Sequence, residues 1–170
     1  MFMDDSLCEA LSKACGSCLL GGGCCFEARP PLTQNRIDIL LAEGVSPESI
    51  EFAGYKRLKL KRDGFCALFE NGMCSVHSIK PETCVAGPFT FDMQGDILQI
   101  FLKKESICPM VKVLIENREA YDGLFQAAVE KIADLVNALP EDELVEILKI
   151  EEPETDLVAE IRLKDWKPCR

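Results

Sequence analysis

The sequence predicts an α+β fold: a small cysteine-rich, metal-stabilised core with short antiparallel hairpins, followed by C-terminal helices. Nine of the ten cysteines lie within the first 108 residues, among short runs of strand character separated by turn residues. After Cys108 the apolar residues recur every three or four positions, which is the period of a helix. We therefore expect a cysteine-cluster metal-binding domain over residues 1–110 and an acidic helical extension packed on it over residues 111–170.

The elements of the first region follow from turn and capping residues. Thr33 is suited to cap a helix over residues 34–43, which Gly44 would end. Asn71-Gly72 and Gln94-Gly95-Asp96 are turn signals between runs of strand character. The short strands that these signals predict cover residues 55–61, 65–69, 73–77, 88–93 and 97–103.

The elements of the second region follow from an apolar stripe. It predicts one long helix or two joined helices, ended by Pro140. A short acidic helix is expected over residues 141–148, and residues 153–166 fit a helix or a strand. The residues of the stripe are Leu114, Tyr121, Leu124, Phe125, Ala128, Ile132, Leu135, Val136 and Leu139.

The net charge of −10 is concentrated in the helical region, where residues 119–170 hold 14 acidic and 6 basic residues. Phosphate contacts require an excess of Lys and Arg, so we expect no nucleic-acid partner. In the one basic run, residues 56–62, Leu58 and Leu60 alternate with the charges as on a half-buried strand, which favours a solvated strand face over an anion-binding or docking patch. The acidic helices are a candidate docking surface for a protein partner. No apolar stretch approaches the roughly 18 residues of a membrane span, and no secretory signal is evident, so we expect a cytoplasmic protein.

Four cysteines fall within eleven residues, namely Cys15, Cys18, Cys24 and Cys25. Disulfide frameworks are spread along secreted chains, and a redox Cys-x-x-Cys needs a helix after it, whereas a Leu-Leu-Gly-Gly-Gly loop follows Cys18. Two residues between Cys15 and Cys18 let both sulfurs reach one ion at about 2.3 Å. This segment therefore favours metal binding.

A second group of cysteines follows about forty residues later. Cys66 and Cys74 lie near opposite ends of the predicted Asn71-Gly72 hairpin, which could bring both to one face. Cys84 follows a proline-initiated turn, and Cys108 precedes a proline. The single histidine, His77, is either a ligand or an exposed hairpin residue.

The order of these motifs resembles the cysteine-cluster proteins of the YkgJ type, a CxxC…CC family. The motifs are Cys-x-x-Cys, Cys-Cys, Cys-…-Asn-Gly-x-Cys-Ser-Val-His-x-x-Lys-Pro-x-x-Cys and Cys-Pro. Such proteins are described as a zinc- or iron-chelating domain, some are labelled iron–sulfur oxidoreductases, and flagellin lysine methylases carry a related cluster. The chain departs from the family in having five residues rather than three before the double cysteine, and Val85 where an arginine is usual.

The resemblance implies that the metal ligands are Cys15, Cys18, Cys24, Cys25, Cys66, Cys74, Cys84 and Cys108. Cys8 and Cys169 fall outside this set. Because neighbouring side chains of an extended segment point to opposite sides, Cys24 and Cys25 are not expected to bind one ion as independent terminal ligands.

Three functions fit these observations. The first is an iron–sulfur protein, with a 4Fe-4S cluster as one form, that transfers electrons or senses redox state; the all-sulfur ligand set favours it. The second is a structural zinc protein. The third is an accessory subunit of a protein-modifying, methylase-like system, with the acidic helices as its docking surface.

Overall fold

The structure is a computed structural model that describes residues 23–152 and 154–165. The helices of this part are α1 (Gln34–Ala42), α2 (Glu82–Ala86), α3 (Met110–Glu116), α4 (Arg118–Ala138) and α5 (Glu141–Leu148). The strands are β1 (Ile50–Phe52), β2 (Lys56–Leu58), β3 (Phe69–Glu70), β4 (Met73–Cys74), β5 (Phe89–Gln94), β6 (Ile97–Lys103) and β7 (Thr155–Arg162). The predicted α+β class is confirmed.

Helix α1 forms where the sequence predicts it. The Thr33 side chain accepts a hydrogen bond from the backbone N–H of Arg36 at 3.1 Å, which satisfies one of the unpaired donors of the first turn. Ile37 and Leu40 turn inward from this helix, and Gly44 follows its end with a φ of +89°.

Two small hairpins lie in residues 24–84, which we call the cysteine-rich half of the chain. Strands β3 and β4 are joined through Asn71 and Gly72, which both take positive φ, as the turn signal predicts. Both strands are shorter than expected, and β4 ends early because the chain turns at Val76 into a short helical turn over His77–Ile79. The other hairpin pairs β2 with β1, a strand that the sequence did not predict.

The three remaining strands form one antiparallel sheet in the order β5-β6-β7. Strands β5 and β6 lie where they are predicted. The segment that fitted a helix or a strand is strand β7, which pairs with β6, and the register of this pairing shifts between Ile100 and Phe101 of β6. The inner face of the sheet packs on α4 through Phe89, Leu98, Ile100 and Ile132, which places the main apolar core between the sheet and α4.

The C-terminal helices follow the apolar stripe. The stripe divides at Asn117, whose side chain accepts from the Ala120 N–H and caps α4. Helix α5 has the predicted bounds. No helix within the described residues is long and apolar enough to cross a membrane.

A second apolar cluster lies in the cysteine-rich half, around Leu32, Leu40, Leu58 and Cys66. A third, smaller one joins the two halves by packing Tyr55 against Leu135, Leu139 and Ile147. Tyr55 lies in the β1–β2 turn, so this turn holds the cysteine-rich half against α4 and α5.

Candidate metal centre

The segment that carries Cys24 and Cys25 is bonded to the segment that carries Cys66. The Cys66 N–H donates to the Cys25 carbonyl at 2.8 Å, and the Glu27 N–H donates to the Gly64 carbonyl at 2.8 Å. Phe26 forms an isolated β-bridge with Phe65, and their rings meet edge to face. Residues about forty positions apart in sequence are therefore fixed side by side.

The β3–β4 hairpin brings Cys74 to the same place. The Phe69 N–H donates to the Cys66 carbonyl at 2.9 Å, and Phe69 pairs with Cys74 across the hairpin. The Ser75 N–H donates to the Leu68 carbonyl at 2.8 Å and keeps the hairpin closed below Cys74. Cys25, Cys66 and Cys74 all pack in the second apolar cluster.

Cys84 approaches this group from a different direction. It lies on α2, a helix of five residues whose other end, Ala86, is buried in the core between the sheet and α4. Cys84 therefore stands where the two halves of the molecule meet.

The pKa values of these thiols are raised by burial and by neighbouring thiols. Burial, together with the neighbouring Cys24, Cys74 and Cys66, raises the pKa of Cys25 to about 11. Burial and the four thiols of Cys24, Cys66, Cys25 and Cys74 raise the pKa of Cys84 to about 12. Burial also raises the pKa of Cys66, with Cys74 as the neighbouring thiol that adds to it. Five sequence-predicted ligands thus lie within electrostatic reach of one another, and all five keep free thiols.

The adjacent Cys24 and Cys25 have different surroundings. Cys25 is half-buried among apolar residues, whereas Cys24 is exposed. A cleft of about 1060 Å³ opens beside the cysteines, and Cys24 and Cys84 contribute to its lining. The thiols can therefore be approached from this side.

The two remaining described candidates are Cys108 and His77. Cys108 packs against the core between the sheet and α4 and lines the same cleft as Cys24 and Cys84. His77 is exposed at the start of its short helical turn. The geometry therefore favours the reading of His77 as an exposed residue.

The other sequence-predicted ligands, Cys15 and Cys18, lie outside the described residues, as do Cys8 and Cys169. Within the described part of the chain, no three cysteine, histidine, aspartate or glutamate side chains are arranged so that they could hold a metal ion by themselves. The ligand set that the sequence predicts also includes Cys15 and Cys18, so the described residues hold only part of it.

The donor chemistry of the group fits a thiophilic metal. Thiols this close raise one another's pKa because neighbouring thiolates repel, and a bound cation would remove that repulsion. Thiolate sulfur is the donor that selects zinc and iron–sulfur clusters over the harder calcium and magnesium. The described residues therefore fit zinc or iron.

Two largely buried ion pairs that support the cysteine-rich half were not found from the sequence. Arg36 binds Glu82, two residues before Cys84, and Lys56 binds Glu143 on α5. The paired residues are 46 and 87 positions apart in sequence, so no local pattern could have connected them.

Comparison with known families gives one match. The family model CxxCxxCC, described as a "Putative zinc- or iron-chelating domain", matches residues 14–109. That is more than half of the chain, and it covers all eight cysteines of the predicted ligand set. Searches of curated proteins and of solved structures returned no match.

Proposed function

The chain belongs to the CxxCxxCC family of zinc- or iron-chelating domains, and from that premise we propose that its cysteines hold an iron–sulfur cluster with a redox or electron-transfer role. Metal binding is the property of the family. The choice of an iron–sulfur cluster, with 4Fe-4S as the form proposed, rests on the residues of this chain.

The observation that carries the proposal is the convergence of sulfur donors without nitrogen donors. Cys24, Cys25, Cys66 and Cys74 are all electrostatic neighbours of Cys84, while the single histidine is exposed. Iron–sulfur clusters are held by thiolates, commonly four to a cluster. When bound, such a cluster supplies one-electron chemistry.

The cysteines around the cluster would have two different roles, which depend on whether they pack in the apolar cluster or line the cleft. The buried Cys66 and the half-buried Cys25 and Cys74 would exclude water from one side, because they pack among apolar side chains. Cys24 and Cys84 would face the cleft, so that an electron-transfer partner could approach to a short distance. Burial on one side and access on the other suit electron transfer, since solvent exposure also tunes cluster potential.

We propose the full ligand set as Cys15, Cys18, Cys24, Cys25, Cys66, Cys74, Cys84 and Cys108. Its test is to replace each cysteine singly by serine and to measure bound iron and zinc. Eight ligands at four to a cluster correspond to more than one centre, so we expect each of the eight variants to lose part or all of the metal, with Cys8→Ser and Cys169→Ser as matched controls that retain it. Loss of metal from either control, or full retention in Cys108→Ser, would contradict this division.

The redox role is tested by anaerobic reduction. We expect dithionite to bleach the visible absorption of the purified full chain and to produce an electron paramagnetic resonance signal, or to abolish one, as iron changes oxidation state. An iron-containing protein whose spectra do not respond to reductant or oxidant would contradict the role while leaving metal binding intact.

Structural zinc is the second candidate, and one observation favours it. Cys25, Cys66 and Cys74 sit within the apolar cluster that holds α1 against β2, where a closed zinc site would add folding energy. A colourless protein that contains zinc, and that loses the structure of this cluster on chelation, would select this candidate.

A further inference from the structure

The buried arginine of α1 makes contacts on both sides of the turn that leads to Cys84. Arg36 donates from Nε and Nη2 to Oε1 of Glu82 at 3.0 and 2.8 Å, and from Nη1 to the Ile79 carbonyl at 2.9 Å. The side chains of Arg36 and Glu82 are 12% and 8% exposed. A guanidinium whose rigid fork engages two separate acceptors fixes the position of both.

The two acceptors bracket Lys80 and Pro81, and Pro81 is fully buried. Helix α2 begins directly after them at Glu82, and its Val85 N–H donates back to the Pro81 carbonyl at 3.0 Å. A helix of five residues does not hold itself together, so its position depends on its packing against α4 and on the contacts that anchor its start. Arg36 anchors the end from which Cys84 follows.

Arg36 is itself fixed relative to the other cysteines. The helix α1 buries Ile37 and Leu40 in the apolar cluster that contains Cys66 and against which Cys25 and Cys74 pack. The far end of α2, by contrast, is buried at Ala86 in the core between the sheet and α4. Arg36 thus ties the Cys66 cluster to the helix of Cys84.

Glu82 does not act here as a ligand. Two residues of a helix are separated by about 200° around its axis, so Glu82 and Cys84 lie on different faces of α2. One carboxylate oxygen, Oε2, is buried and has no hydrogen-bond partner among the described residues, while the other, Oε1, accepts both of its hydrogen bonds from Arg36. We propose that Arg36 and Glu82 are positioning residues of the metal centre, which set the distance of Cys84 from Cys25, Cys66 and Cys74.

This proposal rests on the proposed function only in requiring a metal centre to which Cys84 contributes. The test is titration of the reduced, metal-free full chain with Co²⁺, since thiolate-to-cobalt absorption grows with the number of bound thiolates. The main variant is Arg36→Met/Glu82→Met, which removes both charges together and so leaves no unpaired charge in the interior. The matched control is Arg118→Met/Asp122→Met, which removes an exposed arginine–aspartate pair on α4.

We expect the Arg36→Met/Glu82→Met variant to keep the circular dichroism of the wild type and to bind Co²⁺ about 10- to 100-fold more weakly, the usual effect of losing a residue that orients a ligand. Its charge-transfer absorption should fall toward that of Cys84→Ser, whereas the control should match the wild type. Arg36→Lys is the second variant, since an ammonium keeps the charge but cannot reproduce the fork. It should show the same change to a smaller degree, and it decides the question if the double variant does not fold.

Wild-type affinity and absorption in both Arg36 variants would overturn the positioning role and leave the metal centre standing. Failure of the wild-type chain to bind Co²⁺, Zn²⁺ or iron would instead overturn the proposed function, and the positioning role with it.

Discussion

Glu143 holds Lys56 with both of its carboxylate oxygens. Oε1 accepts from the Lys56 Nζ at 2.6 Å and Oε2 accepts from the Lys56 backbone N–H at 2.8 Å, while Glu143 is only 4% exposed. Lys56 begins β2, the strand whose Leu58 packs beside Cys66. The acidic helix α5 is thus bonded directly to the strand that supports the cysteines.

We predict that Glu143→Gln lowers the free energy of unfolding by about 2 kcal/mol, because it removes the negative charge of a largely buried contact and replaces one of the two acceptor oxygens by an NH2 donor. The measurement is urea unfolding of the metal-loaded protein. Glu146→Gln is the matched control on the same helix, since Glu146 pairs with Lys149 at the surface and should contribute less than about 1 kcal/mol. Equal effects of the two changes would show that the Lys56–Glu143 contact contributes no more to stability than the surface pair of Glu146 and Lys149.

A second prediction concerns the close approach at Gly64, next to the cysteine segment. Its φ is +87°, and a Cβ there would lie 2.8 Å from Cε2 of the Phe26 ring. Gly64→Ala should therefore lower the free energy of unfolding by about 2–4 kcal/mol, from backbone strain and overpacking together. Gly72→Ala has a similar φ of +79° but open space around its Cβ, so it should cost only the backbone strain of about 1–2 kcal/mol. Matching losses in the two variants would contradict the role of the Phe26 contact.

A third prediction is that metal affinity rises with pH. The pKa values of about 11 for Cys25 and about 12 for Cys84 mean that both thiols are protonated in the metal-free chain at neutral pH. A metal binds the thiolates and must displace these protons, so affinity should rise by at least about tenfold per pH unit between pH 6 and 8. Competition with a chelator of known affinity for Zn²⁺ measures this. A constant affinity over that range would exclude the displacement of protons.

The sequence predicted correctly the structural features that depend on residues close together in the chain. The Thr33 cap, the Asn71-Gly72 turn, β5, β6 and α5 each depend on neighbouring residues, and each is found as predicted. Strand β1 was missed because its three residues have little pattern of their own and depend on pairing with β2. The strand character of β7 was ambiguous because it depends on pairing with β6, more than fifty residues earlier in the chain.

In the candidate site too, the features that depend on local spacing could be predicted and those that depend on tertiary contacts could not. The cysteines are identified by their spacing, since two residues between thiolates is a local signal for metal binding. The side chains that hold them in place are not, because Arg36 reaches Glu82 and Lys56 reaches Glu143 only after the chain has folded. The residues around a metal centre are set by tertiary contacts, and a single sequence does not reveal those.

A fourth prediction concerns removal of the metal. The site draws its ligands from separate segments of the cysteine-rich half, so metal binding should be coupled to the folding of that half. Helix α4 has its own core with the sheet and should depend less on metal. After chelation under reducing conditions, we expect hydrogen exchange to accelerate over residues 24–84 and to change little over Arg118–Ala138. Unchanged protection over residues 24–84 would show that the metal does not stabilise this half.

The most direct test of the central proposal is analysis of iron, zinc and acid-labile sulfide in full-length protein purified without oxygen. We predict iron and labile sulfide in equal amounts, little zinc, and a visible sulfide-to-iron charge-transfer band, all of which are lost in the Cys25→Ser, Cys66→Ser double variant. Stoichiometric zinc without iron or sulfide would contradict the iron–sulfur assignment, and protein that binds neither metal would contradict the metal centre itself.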